Sequence, residues 1–442
     1  MQKNNKIILE LKNLFLNKEE NTILLSNNLI ELDNVYDFNT RSFLLNSNIN
    51  VEFAKLLKFL YAFEEFTAKN FKEDFFNGNI DSNLIISYSP NAQDKFSYSL
   101  SGKINNFNLI NKNDFPIKLE NFNGNLALTD NLLKINGNAL LNNSVSDIQI
   151  QLNKNYKLFV NINSVALFSS FDFLGEYNFL KSGSSKLNIK IEKENLFHDE
   201  WKATLAANLY NNKVEISQVV YEKKEKEQGR IKAVYNFKNL SLYSVENLTF
   251  LTEDILIRGD IFLDNRRDVN KIKIKEFKRE LDDFSANINL ENKDYFSLDV
   301  KGESININNF FSEDNNGNLS GKVDIFVNDL YFNNYNFGNT KISSEIYNNK
   351  IVRLNGEIFQ NEKKYSFFNY MLNRKTDSEL KLTFLNFGLF LKNIGVSDKF
   401  TLGSGDIVFS LNNQSNEITE GKYKIKNFSI KAASFLARLL QL

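Results

Sequence analysis

The chain has 442 residues, 54 Lys and Arg against 54 Asp and Glu, one histidine and no cysteine. That balance leaves no electrostatic footprint for nucleic acid and no charge asymmetry toward a membrane surface, and the missing thiols exclude disulfides and thiolate chemistry. A hydrophobic share of 42% is enough for a core, and only two prolines, Pro90 and Pro116, leave room for long uninterrupted ladders. The abundance of Asn, Lys, Ile and Phe reads as an AT-rich coding bias, a compositional statement only.

The start, MQKNNKIILELKN, lacks the apolar core of a signal peptide, and no stretch reaches the ~18–20 apolar residues of a membrane span. A helix is expected over Val51–Phe76, with Phe53, Leu56, Leu57, Leu60 and Phe63 on one face before Asn77-Gly78. Strands then dominate, several opened by glycine: GKINNFNL from Gly102, GNLALTDNLLKINGNALL from Gly124, GKVDIFVNDLYF from Gly321, GDIVFSL from Gly405 and GKYKIKNFSI from Gly421. Period-two alternation places Leu187, Ile189 and Ile191 on an apolar face, followed by Leu205 and Leu209, then Ile257, Ile261 and Leu263. The same alternation sets Val323, Ile325 and Val327 against Lys322, Asp324 and Asn328, with Phe326 discordant. It recurs at Ile407, Phe409 and Leu411 and at Tyr423 and Ile425. Short polar turns at Asp264–Arg267 and Asn348–Lys350, and an exposed hairpin tip at Glu222–Glu227, suit hairpins and meanders rather than helical crossovers. A short helix is expected over 386–395 and another over 431–442, where Ala432, Phe435, Leu436, Leu439 and Leu440 form a helical stripe. The Gly repeat is too irregular for a solenoid of fixed coil length.

No catalytic constellation emerges. His198, the single histidine, sits in FHDEW beside Asp199 and Glu200, but metal sites need three or four converging ligands, so a solvated turn is expected. Glu64-Glu65 and Asp282-Asp283 are sequence neighbours that a strand would point to opposite faces. Gly403-Ser404-Gly405 precedes a strand where a phosphate loop requires a helix. The expectation is a non-enzyme with no cofactor and no metal.

The physical difficulty is a long sheet with one apolar face and few helices to cover it, because exposed apolar patches beyond a few hundred Å² mark binding sites or aggregation hazards. The expected fold is mainly β: a long, twisted antiparallel sheet folded into an elongated groove with a few amphipathic helices. If its walls meet, the core is dry. If they stand apart, a trough lined by Ile, Leu, Val and Phe remains.

The segment Thr383–Leu411 followed by GKYKIKNFSIKAASFLARLLQL resembles the C-terminal region of the AsmA-like superfamily, which includes YhdP- and TamB-like proteins. The match runs through Phe387-Gly388, Gly395, Gly405, Gly421 and Leu436-Ala437-Arg438-Leu439-Leu440. It departs at Asn386, at Ser404 in place of a glycine and at Ser434 in place of a proline. The resemblance implies β-groove repeats over 1–384 and the C-terminal motif region over 385–442, cut off in a helix, so that the chain is expected to be part of a longer protein. It further implies a periplasmic protein of Gram-negative bacteria, attached to the inner membrane through a segment outside this chain, with no nucleic acid partner. Such a protein would carry phospholipid toward the outer membrane. Acyl chains would then lie on Leu187, Ile189, Ile191, Leu205, Leu209, Ile257, Ile261, Leu263, Val323, Ile325, Val327, Ile407, Phe409, Leu411, Tyr423 and Ile425. The alternative is a structural or adhesive surface protein with a closed β core.

Overall fold

The computed structural model describes residues 6–430 except the segments 19–20, 38–39, 53–54, 56–75, 93–94, 110–117, 167–179, 196–197, 217–218, 293–294, 311–319, 373–377 and 413–417 and positions 130, 240 and 334. The protein is mainly β, its strands forming a large, open, mixed sheet. Two compact units divide the chain, one made of Met1–Lys213 and Val234–Leu240, the other of Val214–Ala233 and Ser241–Leu442.

The first unit is built from β1 (Lys6–Lys18), β2 (Asn21–Asp33), β3 (Ser42–Glu52), β4 (Phe76–Tyr88), β5 (Phe96–Leu109), β6 (Leu119–Thr129), β7 (Leu132–Leu141), β8 (Ser144–Asn153), β9 (Leu158–Ala166), β10 (Leu180–Ser182), β11 (Ser185–Lys193) and β12 (Glu200–Asn208). From β1 to β9 each strand pairs antiparallel with the next, after which β9 pairs with β11 and β11 with β12. Two short strands, β13 (Lys213–Ile216) and β14 (Tyr221–Lys223), and the longer β15 (Gly229–Lys238) follow.

The second unit continues with β16 (Ser241–Thr252), β17 (Leu256–Leu263), β18 (Val269–Arg279), β19 (Asp282–Asn292), β20 (Tyr295–Asn306), β21 (Ser320–Phe332), β22 (Tyr335–Asn336), β23 (Asn339–Tyr347), β24 (Lys350–Gln360), β25 (Lys363–Met371), β26 (Ser378–Phe384), helix α1 (Phe387–Asn393), β27 (Phe400–Leu411) and β28 (Ile418–Ile430). It too is a meander of antiparallel neighbours, with one exception: β20 and β21 run parallel, from Tyr295 opposite Ser320 to Asn306 opposite Tyr331. A parallel pair needs a connection of a dozen or more residues, and 307–319 supplies that length. The meander expectation is corrected there.

Asparagine has a structural use that a coding bias does not explain. Asn27, Asn106, Asn121 and Asn247 all have positive φ, between 50° and 55°, at or beside register shifts in β2, β5, β6 and β16. These are β-bulges, and Asn tolerates the left-handed region better than most side chains. The freed N–H of three of them is taken up by a neighbouring strand: Asn106 donates to Asn123 Oδ1 at 3.0 Å, Asn121 to Asn108 Oδ1 at 2.7 Å and Asn247 to Asp260 Oδ1 at 3.0 Å. Asn142-Asn143 and Asn348-Asn349, with positive φ at both residues, close two-residue hairpins of the type that matches strand twist.

The helical expectations divide. The stretch 386–395 holds α1, whose Asn386 N-cap accepts from the Leu389 N–H at 3.0 Å. At 51–76 the ends are strand instead: Val51 and Glu52 finish β3, and Phe76 opens β4 with Asn77-Gly78 inside it. Of the residues between, Phe53, Leu56, Leu57, Leu60 and Phe63 lie outside the described residues, as do 431–442. No helix among the described residues is long and apolar enough to cross a membrane.

Candidate apolar binding face

Residues directly opposite each other in paired strands share a face, so the registers join single residues into rows crossing the strands. In the first unit Val51, Ile80, Ile104, Gly124, Gly137, Ile148, Ile162, Ile189 and Leu205 form one such row. Its large side chains are buried, Ile189 to 0% exposure. Leu187 and Leu209 are equally enclosed, while Ile191, opposite Val160 and Ala203, is half-buried. Four of the residues expected to face a ligand are therefore at most 3% exposed, the packing of a dry core.

The second unit has three such rows, and they differ. One runs Ile257, Phe277, Phe284, Gly302, Val327, Thr340, Ile358, Ser366, Phe384, Gly405 and Ile425. This row is roofed. Tyr221 of β14 stands edge-on to Phe250, 6.3 Å between ring centroids, and its hydroxyl shares a 2.6 Å hydrogen bond with Thr252. Phe310, on a single 3-10 turn over Ile307–Phe310, packs on Phe277 and Phe284 at 5.8 and 5.7 Å. Helix α1 lays Phe387 and Phe390 on Phe384 at 5.2 and 4.8 Å, and Gly388 allows it to approach β27, since a side chain there would meet the Phe400 carbonyl. Val327 is accordingly 0% exposed.

The opposite margin is the open row: Ile261, Ile272, Ile288, Leu298, Val323, Ser344, Leu354, Tyr370, Leu380, Phe409 and Gly421. Its large apolar members are half-buried, as are Leu263 and Leu411 one step further along their strands. Between the two lies a middle row that includes Val300, Ile325, Ile342, Gly356, Phe368, Leu382, Ile407 and Tyr423. Ile325 and Ile407 are half-buried, but Tyr423, expected on the lined face, is 81% exposed on β28, which pairs with β27. Across the strand, Lys322, Asp324, Phe326 and Asn328 point outward and are exposed.

The roof is fixed by polar groups. Asp282 accepts from the Asn306 N–H at 2.6 Å and the Asn309 amide at 2.8 Å, and lies 3.5 Å from the Arg279 guanidinium, whose other arm donates to the Val219 carbonyl. Burial pushes its carboxyl above the ordinary range despite these donors. Burial also pushes Asp260 upward, but Lys275 and the Asn247 N–H outweigh it and hold that carboxyl below the ordinary range. Asp283, on the other face, pairs with Lys278, so Asp282-Asp283 does split as alternation requires. Glu222–Glu227 is not wholly an exposed tip: Lys223 is buried within β14, donates to the Lys224 carbonyl, and has its ammonium pKa lowered by desolvation. His198 is exposed in a turn closed by its N–H to the Asn195 carbonyl. Gly403-Ser404-Gly405 lies within β27. Among the described residues no group of three or more His, Asp or Glu could hold a metal.

Tyr221 and Phe310 escape sequence reasoning because they lie outside the long alternating runs, whereas Phe390 falls in the helix expected over 386–395. No protein-family model, curated protein or solved structure matches the chain.

Proposed function

We propose that the second unit binds phospholipid acyl chains along its open and middle rows, as part of a non-enzymatic bridge that carries lipid between membranes. The observation that carries the reading is the row from Ile261 to Phe409, whose large apolar members are half-buried and which the small buried Ser344 interrupts. Its nine interstrand steps cover roughly 43 Å, more than the ~30 Å hydrocarbon core of a bilayer. Each methylene moved out of water is worth ~0.8 kcal/mol, so two acyl chains crossing water bare face a barrier on the order of 20 kcal/mol. An apolar strip lowers it. The resemblance to the AsmA-like superfamily supports a periplasmic setting, with attachment to the inner membrane outside this chain and delivery toward the outer membrane. The enclosed residues Leu187, Ile189, Leu205 and Leu209 favour a second reading for the first unit, a structural core that holds no ligand.

Mass spectrometry of the purified chain, combined with photocrosslinking from single probes, tests both readings. Phospholipid should co-purify and crosslink from positions 298, 323 and 380 but not from 189 or 205. Lipid-free folded protein that takes nothing from vesicles would overturn the bridge in favour of a closed structural β protein.

A further inference from the structure

Several glycines on the apolar face lie under phenylalanine rings. Phe296 covers Gly321, Phe409 meets Gly421, and Phe122 spans Gly124 and Gly137. The closest case is Gly356, where a Cβ would come within 2.0–2.5 Å of the end of the ring of Phe368, the residue directly opposite on β25. A ring can take that place only if it reclines across the neighbouring strand instead of standing off the sheet. Phe122 is buried, but Phe368 is half-buried in the middle row, beside the open row.

We infer that the Gly356–Phe368 pair is a gauge for the ligand strip: Gly356 lets the ring lie flat, and the flat ring leaves headroom for a chain-like apolar ligand. The inference rests on the proposed lipid function and adds a specificity-determining residue to it. The three atoms nearest a methyl at position 356 all belong to the far end of the Phe368 side chain, so the ring tilts upward into the ligand's path while the ladder survives. Alanine also suits a strand interior better than glycine, which keeps folding from masking the effect.

The test uses the full chain with vesicles of phosphatidylethanolamine and phosphatidylglycerol carrying a photoactivatable acyl chain, and reads crosslinked lipid per protein. Gly356→Ala is expected to lower uptake at least several-fold with thermal melting within a few degrees of the parent. The double variant Gly356→Ala/Phe368→Ala should take up more lipid than Gly356→Ala and match Phe368→Ala alone, because no ring is left to tilt. Parent-level uptake by Gly356→Ala overturns the gauge, as does a double variant as deficient as Gly356→Ala alone. Absence of uptake by the parent chain instead overturns the lipid function itself.

Discussion

Val323 and Val327 offer a controlled comparison: the same side chain, on the same face of β21, in the open and the roofed row. Val327 is enclosed between Gly302 and Thr340, while Val323 lies half-buried between Leu298 and Ser344. Val327→Glu forfeits ~1.5–3 kcal/mol of apolar burial. It also puts a carboxyl where ionisation is opposed by up to ~3–5 pKa units, so that it stays protonated at neutral pH at a cost of about 3–4 kcal/mol relative to the ionised unfolded chain. Together these reach the lower end of the ~5–15 kcal/mol stability of a domain. Val323→Glu loses about half the burial term, ~1 kcal/mol, because water reaches its carboxylate. Thermal melting followed by circular dichroism should place Val323→Glu a few degrees below the parent and Val327→Glu far lower. The Val327→Glu carboxyl has its pKa raised by folding, so its penalty is absent below the unfolded pKa and grows as pH rises. That variant should therefore melt higher at pH 5 than at pH 8. Val323→Glu, still folded, should lose lipid crosslinking at neighbouring probes. Equal collapse of both variants would show that the open row is as dry as the roofed one and refute the ligand strip; equal tolerance would refute the roof.

At Asn121, where φ is 55°, Asn121→Gly should cost at most a few tenths of a kcal/mol and Asn121→Val about 2 kcal/mol, read as shifts in urea midpoint, since a β-branched residue resists the left-handed region. Asp260 and Asp282 should titrate in opposite senses. The lowered Asp260 contributes stability above its unfolded pKa of ~3.9 that is lost as pH falls through its folded value, so the advantage of the parent over Asp260→Asn should shrink in acid. The raised Asp282 does the reverse, and stability of the parent relative to Asp282→Asn should grow on acidification below its folded value; melting curves across pH 3–7 check both.

Alternation made the strands and their faces legible because a one-residue slip would turn every side chain over. Ile257, Ile261, Val323, Ile325, Ile407 and Phe409 do share one face, and Lys322, Asp324 and Asn328 the other. Depth was not legible. Val323 and Val327 have identical patterns, and what separates them is a roof of Tyr221, Phe310 and α1 brought from outside the strand. Nor could periodicity reveal the parallel β20–β21 pair, since a row reads the same in either direction. The spacing between the two strands was the available signal. Composition does not reveal the role of asparagine, because its bulge partners, such as Asn123 for Asn106, are set by pairing between strands.

The bulges change how the sheet can accept insertions and deletions. An added pair of strands lengthens a row by about 10 Å and leaves every face unchanged, so reach can vary in hairpin-sized steps. An added residue within a strand would ordinarily invert everything beyond it. Where the addition is an asparagine that adopts the left-handed conformation, as at Asn247, the extra residue is absorbed locally and a side chain across the ladder, here Asp260, takes up the displaced N–H. Frame errors in the alternation are thereby confined to one position, and a long sheet can drift in sequence length without turning its apolar rows to water.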